Sequence, residues 1–259
     1  MTTRPISCSF WVRNALALVL VLGTVTVPVH SAQEVRVGAY PFLPFVDQTG
    51  GLTADLVQAM NAFQKEYTFQ LVETSSKRRY RDMANGSFTM VLFENIKWGW
   101  DPSQVHASKV FLQGDGEVYV ALTQPGRGQD YFRTLQDKHI LGVSGYHYGF
   151  ASFDADPERL AQRFNISFSP DNAVSLRNLL AQRGDVAVIT KSYLKSHLIK
   201  DPQAATRLLV SDRFDQTYAH SAVVKRGSKP SPQELDLLFE RMESAGVLKQ
   251  LWDRYGLDR

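Results

Sequence analysis

Aromatic side chains at loop positions carry most of the chemistry this chain offers. Tyr40-Pro41-Phe42-Leu43-Pro44-Phe45, Trp98-Gly99-Trp100 and Tyr146-His147-Tyr148-Gly149-Phe150 each follow a strand-like run. In open α/β sheets ligands bind beyond the carboxyl ends of strands, so three such loops can wall a cleft for a small solute. The candidate contacts are Tyr40, Phe42, Trp98, Trp100, Tyr146 and Tyr148, with Phe45 and Phe93 as further rings. Glu94 and Arg78 are the charged candidates. A carboxylate among tryptophans suits a cation, whereas a guanidinium suits an anion, so the ligand's charge stays open. The competing reading packs these rings into small cores beneath the loops. It places Glu94 in a surface ion pair and Arg78 on a solvated helix face.

A search for catalysis returns no constellation. The six histidines show no ligand spacing on any one helix, and the only cysteine, Cys8, lies near the start. Neither a metal nor a cofactor site is expected, since structural zinc needs clustered cysteine or histidine. Gly142-Val143-Ser144-Gly145 is not a nucleophile elbow, which needs glycine two residues to either side of serine. Neither a Walker loop nor a dinucleotide fingerprint is present. Gln113-Gly114-Asp115-Gly116-Glu117 resembles part of a calcium loop without the further oxygen ligands, and reads as a turn. Asp185 is expected to bond backbone.

The elements that would position the aromatic loops alternate between strand and helix. Glu34–Ala39, Phe69–Glu73, Thr89–Phe93, Val118–Leu122, Ile140–Val143, Val186–Ile189 and Ala222–Lys225 read as strands. Leu52, Leu56, Met60 and Phe63 recur at helical spacing, and Lys77–Asn85 reads as a helix closed by Gly86. Asp154–Phe164 is expected to be helical, with Asp156 as N-cap and Pro157 at the first position. Asn172–Ala181 is a further helix. Ser231-Pro232-Gln233-Glu234 forms a capping box opening another, and an amphipathic segment carrying Leu248, Leu251 and Trp252 ends the chain. This alternation argues for an α/β fold with mostly parallel sheets.

Arg4 and Arg13 precede the apolar run Ala15–Leu22, and small residues follow at Ser31 and Ala32. This is the pattern of a secretory signal over residues 1–32, cut after Ser31 or Ala32. Gly23, Thr24, Thr26 and Pro28 interrupt the apolar sequence before it reaches the roughly 20 residues of a spanning helix. The expected mature chain has no cysteine and therefore no disulfide, which suits a bacterial periplasm. Of 29 basic and 26 acidic residues, the signal holds two basic ones, which leaves 27 minus 26, or +1. That balance suggests no nucleic-acid partner.

The ordered motifs together resemble the extracellular solute-binding proteins of family 3, receptors of polar amino-acid uptake and their orphan relatives. Val35-Arg36-Val37-Gly38 with the Tyr40–Phe45 loop is similar to the family's opening strand and proline-aromatic loop. Gly51–Leu56, Lys77–Gly86, Ala107–Phe111, Gly142–Gly149, Gly184–Val188 and Gly246–Gly256 resemble its later landmarks. The resemblance implies a two-lobed periplasmic-binding-protein type II fold: two mixed, mostly parallel sheets joined by a two-segment hinge. Lobe one would comprise 33–115 plus 218–259, and lobe two 116–217. It implies a monomer without cofactor or catalysis, which closes on a small-molecule ligand and is recognised by an ABC permease.

Two departures move the ligand. The family's carboxylate-clamping arginine would fall in Ile96-Lys97-Trp98-Gly99-Trp100-Asp101, which has none. Its amine-binding aspartate, five residues after Asp185, is Thr190 here. The expected function is therefore capture of a small polar, aromatic or charged solute without the α-amino-acid clamp, with Thr190 added to the candidate contacts. The alternative is a sensory module signalling to a membrane receptor. An exported enzyme on the same fold, such as a dehydratase, lacks a nameable ionisable constellation.

Overall fold

Val35 and Val37 are buried and alternate with exposed neighbours along β1 (Gln33–Ala39), so one face of the strand seats itself on a core. In the computed structural model, residues 1–2 and 31–257 are described. The expected signal segment lies, apart from its ends, outside them. Ala32–Arg259 forms one compact unit. Among the described residues, no helix is long and apolar enough to cross a membrane.

The first half follows β1 with α1 (Gly51–Phe63), β2 (Tyr67–Glu73), α2 (Arg79–Ala84), β3 (Met90–Glu94) and β4 (Val105–Ala107). A long strand, β5 (Leu112–Leu122), leads to β6 (Ile140–Val143), α3 (Pro157–Arg163), β7 (Ile166–Ser169), α4 (Asn172–Leu180), β8 (Val186–Thr190), α5 (Lys191–Lys200) and α6 (Pro202–Arg207). A second long strand, β9 (Leu208–Lys225), returns to α7 (Pro232–Ser244) and α8 (Val247–Arg254). The strand path is β2-β1-β3-β9-β5-β8-β6-β7, with β4 on β9. The triplets β2-β1-β3 and β7-β6-β8 are parallel, and β5 and β9 join them with antiparallel pairing. The lobe boundaries expected near 115 and 217 thus fall inside continuous strands.

Local signals explain several elements. The Asp156 side chain accepts from the Glu158 and Arg159 amides at the start of α3, and Ser231 and Glu234 complete a capping box at α7. Gln113–Glu117, expected as a turn, lies instead within β5. Gly116 is needed there because a Cβ would strike the Gln216 carbonyl of β9. Asp115, also read as part of that turn, accepts from the Ser192 amide at 3.1 Å and its hydroxyl at 2.5 Å. It thereby caps α5, whose own N-cap residue makes no side-chain cap bond. Beyond the expected Ala222–Lys225, β9 extends back to Leu208, so it pairs with both halves.

Candidate ligand-binding cleft

The three aromatic loops leave the C-terminal ends of β1, β3 and β6 and converge between the halves, with β5 and β9 behind them. Together they enclose a chamber of about 20 Å³, space for about one water-sized group.

The wall from the first half is organised by Glu94, the last residue of β3. Four residues on β3 (Val91 to Glu94) oppose three on β9 (Val223 to Ser221), and Phe93 sits at φ 56°. Such a bulge re-aims the side chain that follows it, at a cost of about 1–3 kcal/mol for a bulky residue in the left-handed region. Glu94 is turned fully inward. Its Oε1 accepts from the Tyr40 hydroxyl at 2.7 Å and its Oε2 from Trp100 Nε1 at 2.9 Å. Arg79 Nε lies 3.1 Å from Oε1, an electrostatic pairing whose angle falls short of a hydrogen bond. The guanidinium sits 4.6 Å from the Tyr40 ring centre and 4.5 Å from that of Tyr80, and Nη1 donates to the Ser76 carbonyl. Burial works against the Arg79 charge, but Glu94 and the tyrosine oxygens outweigh it and raise its pKa above the ordinary value.

The hinge wall is built from β5 and β9, where Glu117 pairs with Gln216 in register. Gln216 Nε2 donates to Glu117 Oε2 at 2.8 Å and to the His147 carbonyl, while its Oε1 accepts from Trp98 Nε1 at 3.1 Å. Glu117 is 1% exposed, and its Oε1 has no hydrogen-bond partner among the protein's own groups. The Tyr218 hydroxyl bonds Thr190 Oγ1 at 3.3 Å and lies near this carboxylate without completing a bond to Oε1. Burial, seconded by the Asp215 charge, pushes the Glu117 carboxyl well above the ordinary range.

The second half closes over both walls. Ser76 Oγ donates to the Ser144 carbonyl at 2.7 Å, and the Tyr146 hydroxyl reaches the Pro41 carbonyl at 3.3 Å. The Tyr146 ring meets Phe42 edge-on at 5.5 Å. Gly145 is required at this closure: it sits at φ 80°, and a Cβ would lie 2.6 Å from Ser76 Oγ. His147 Nδ1 faces the Phe153 carbonyl at 2.6 Å, and its Nε2 shares the Tyr80 hydroxyl proton, at 2.8 Å, with the Trp98 carbonyl. Burial lowers the His147 pKa to about 4.

Of the residues singled out from sequence, Tyr40, Phe42, Trp98 and Tyr146 line the chamber. Glu94 lies behind Tyr40, saturated by its partners, and is neither a free charged contact nor a surface ion pair. Trp100 borders an outer groove with Tyr80, Met83, Gln104 and Lys225. Phe45 and Phe93 pack against buried His220 in the core of the first half. The Tyr148 hydroxyl accepts from the Val143 amide at 2.6 Å, and Thr190 Oγ1 accepts from Asn172 Nδ2 at 2.8 Å. Both are buried outside the chamber lining. Arg78 is exposed at the start of α2 and is not part of the chamber's lining; its neighbour Arg79 is buried and lines it. Sequence reasoning missed Arg79, Glu117, His147, Gln216 and Tyr218. Gln216, Tyr218 and His220 recur every second residue, the period of one strand face, and that alternation was the available signal.

No family model and no curated protein matches the chain. Solved structures do. A protein described as a binding component of an ABC transporter from Wolinella succinogenes, complexed with lysine, is 17% identical with TM-score 0.67, over 87% of this chain and 96% of that one. The GluR0 ligand-binding core with L-glutamate is 15% identical with TM-score 0.68, over 87% and 99%. An ancestral amino-acid-binding protein, precursor of cyclohexadienyl dehydratase, is 16% identical with TM-score 0.65, over 86% and 95%. The fold is therefore the two-lobed periplasmic-binding-protein type II fold, and these solved neighbours are binding proteins.

Proposed function

We propose that this protein is a periplasmic solute-binding protein that captures a small solute between its lobes and presents the closed form to an ABC-type permease. The observation that carries this reading is the chamber itself. It is walled by loops from each half and backed by both crossover strands, so a ligand there would contact both halves of the clamp. A solute shifts the open–closed balance only by binding the closed form better. The proposed lobes are 33–115 with 218–259, and 116–217, after a signal peptide over 1–32.

The absence of an α-amino-acid clamp belongs to the same reading. Arg79, the one guanidinium lining the chamber among the described residues, is engaged by Glu94 and Ser76, and Thr190 is spent on Asn172 and Tyr218. A second reading, a module signalling to a membrane receptor, has the likeness to the GluR0 ligand-binding core in its favour. Adjacent permease and ATPase genes would support uptake; a sensor gene beside it would support signalling. The direct test is thermal unfolding of the purified protein against amino acids, amines, organic acids and sugars. At 100 Kd a ligand adds about 2.7 kcal/mol, so at least one solute class should raise Tm by several degrees. A flat response across the panel would sink the binding reading.

A further inference from the structure

We infer that the chamber takes a compact monocation, the ammonium head of a small protonated amine, with Glu117 as its counter-charge. This inference rests on the solute-binding reading and adds the ligand's chemical class.

The first support is the free oxygen. Glu117 lines the chamber, is 1% exposed, and leaves Oε1 without a protein partner while Oε2 is held by Gln216. A buried carboxylate oxygen without a hydrogen-bond partner calls for a donor. The second support is what surrounds it. The rings of Tyr40, Phe42, Trp98, Tyr146 and Tyr218 line the same space, and aromatic faces attract a desolvated cation.

Charge then decides between cation and anion. Arg79 and Glu94 cancel as a pair at 3.1 Å, and His147 is held neutral in the physiological range. Ionised Glu117 leaves the chamber one negative charge in excess, which a monocation neutralises. The remaining groups near Glu117 do not reverse this. Asp215 accepts from the Tyr119 hydroxyl and the Gly149 and Phe150 amides, with Arg213 nearby; Asp115 is held by Ser192, with Lys191 nearby. Both carboxyls are pushed above the ordinary range by burial. An anion would meet Glu117 and have to compete with Glu94 for the Arg79 guanidinium. Size points the same way, because about 20 Å³ admits a water-sized ammonium group, while an amino-acid carboxylate beside it would face Glu117.

A linkage follows. Burial favours the protonated form of Glu117 when no cation is present, so a cation binding there displaces that proton. Amine affinity therefore rises with pH until Glu117 is ionised in the free protein.

Methylammonium chloride is the probe, with trimethylammonium chloride, acetamide and sodium acetate at matched ionic strength. The expected result is a Tm rise with methylammonium, larger at pH 8 than at pH 5, and none with acetate. Calorimetry at pH 5 in two buffers of different ionisation enthalpy should show proton release on wild-type protein, which needs no variant. Glu117→Gln, which keeps the side chain's shape, should weaken methylammonium about 30-fold or more, as expected for losing one partner of a buried charge pair. A response to acetate or acetamide but not to either amine would overturn the cation class and leave solute binding standing. Methylammonium binding that releases no proton, or that survives Glu117→Gln, would overturn the role of Glu117. Silence here and across the broad panel would remove both readings.

Discussion

The two walls of the cleft each carry a fully buried glutamate, and the two are finished differently. On the first-half wall Glu94 spends both oxygens: Tyr40 and Trp100 donate to it, and Arg79 balances its charge. On the hinge wall Glu117, which lines the chamber, spends one oxygen on Gln216 and leaves the other without a hydrogen-bond partner. Burial alone therefore does not separate structural from functional carboxylates. The completeness of the partner set does, because a saturated buried ion pair has nothing left to offer a ligand, whereas an unsatisfied one retains an uncompensated cost that a ligand can relieve.

The sharpest way to break this contrast is to neutralise each glutamate in turn. Glu94→Gln leaves the Arg79 charge buried without its counter-ion, and breaking such a pair typically costs about 3–5 kcal/mol. The urea midpoint should fall accordingly; a variant as stable as wild type would mean that Glu94 is not the organiser of its wall.

Glu117→Gln should do the opposite in the absence of ligand. Its folded pKa is raised by burial, so its contribution to stability is fully present below the unfolded value of about 4.3. That contribution is lost as pH rises through the folded value. The glutamine variant has no such loss. Its advantage over wild type should be small near pH 5 and grow to about 1–3 kcal/mol at pH 8, the scale of an unsatisfied buried polar group. Paired urea melts at the two pH values check this. An advantage that shrinks as pH rises would reverse the sign of the argument.

The same contrast explains what could be read from the chain. Asp156 and the Ser231–Glu234 box announced their helices because their partners lie within three residues. The aromatic loops were visible because strand ends and ring clusters are local patterns. α5 was not read, since its cap comes from Asp115, distant in sequence. Most of β9 escaped for a related reason. It carries buried polar residues, Gln216 and His220, where an ordinary half-buried strand would show apolar ones, and its pairing with β5 shifts register repeatedly. Glu117 was hidden by its neighbours, because Gly114 and Gly116 look like a turn until β9 is placed against them.

The smallest expected effect tests the one-residue error in the basic run. Sequence pattern marked Arg78 as a ligand contact, yet the chain enters α2 with Arg78 outside and Arg79 inside. On a helix, adjacent residues lie about 100° apart, so a single step exchanges the solvated face for the cleft face. Arg78→Ala removes an exposed side chain that forms no ion pair among the described residues, and such changes stay within about 0.5 kcal/mol. Urea stability and any ligand-induced Tm shift should both match wild type. Arg79→Lys keeps the charge but replaces the flat guanidinium that stacks between Tyr40 and Tyr80 while facing Glu94. Because an ammonium cannot reproduce a stacked guanidinium, this variant should lose stability where Arg78→Ala does not. If Arg78→Ala weakened ligand binding while Arg79→Lys left both measurements unchanged, the inward and outward assignments of the two arginines would have to be exchanged.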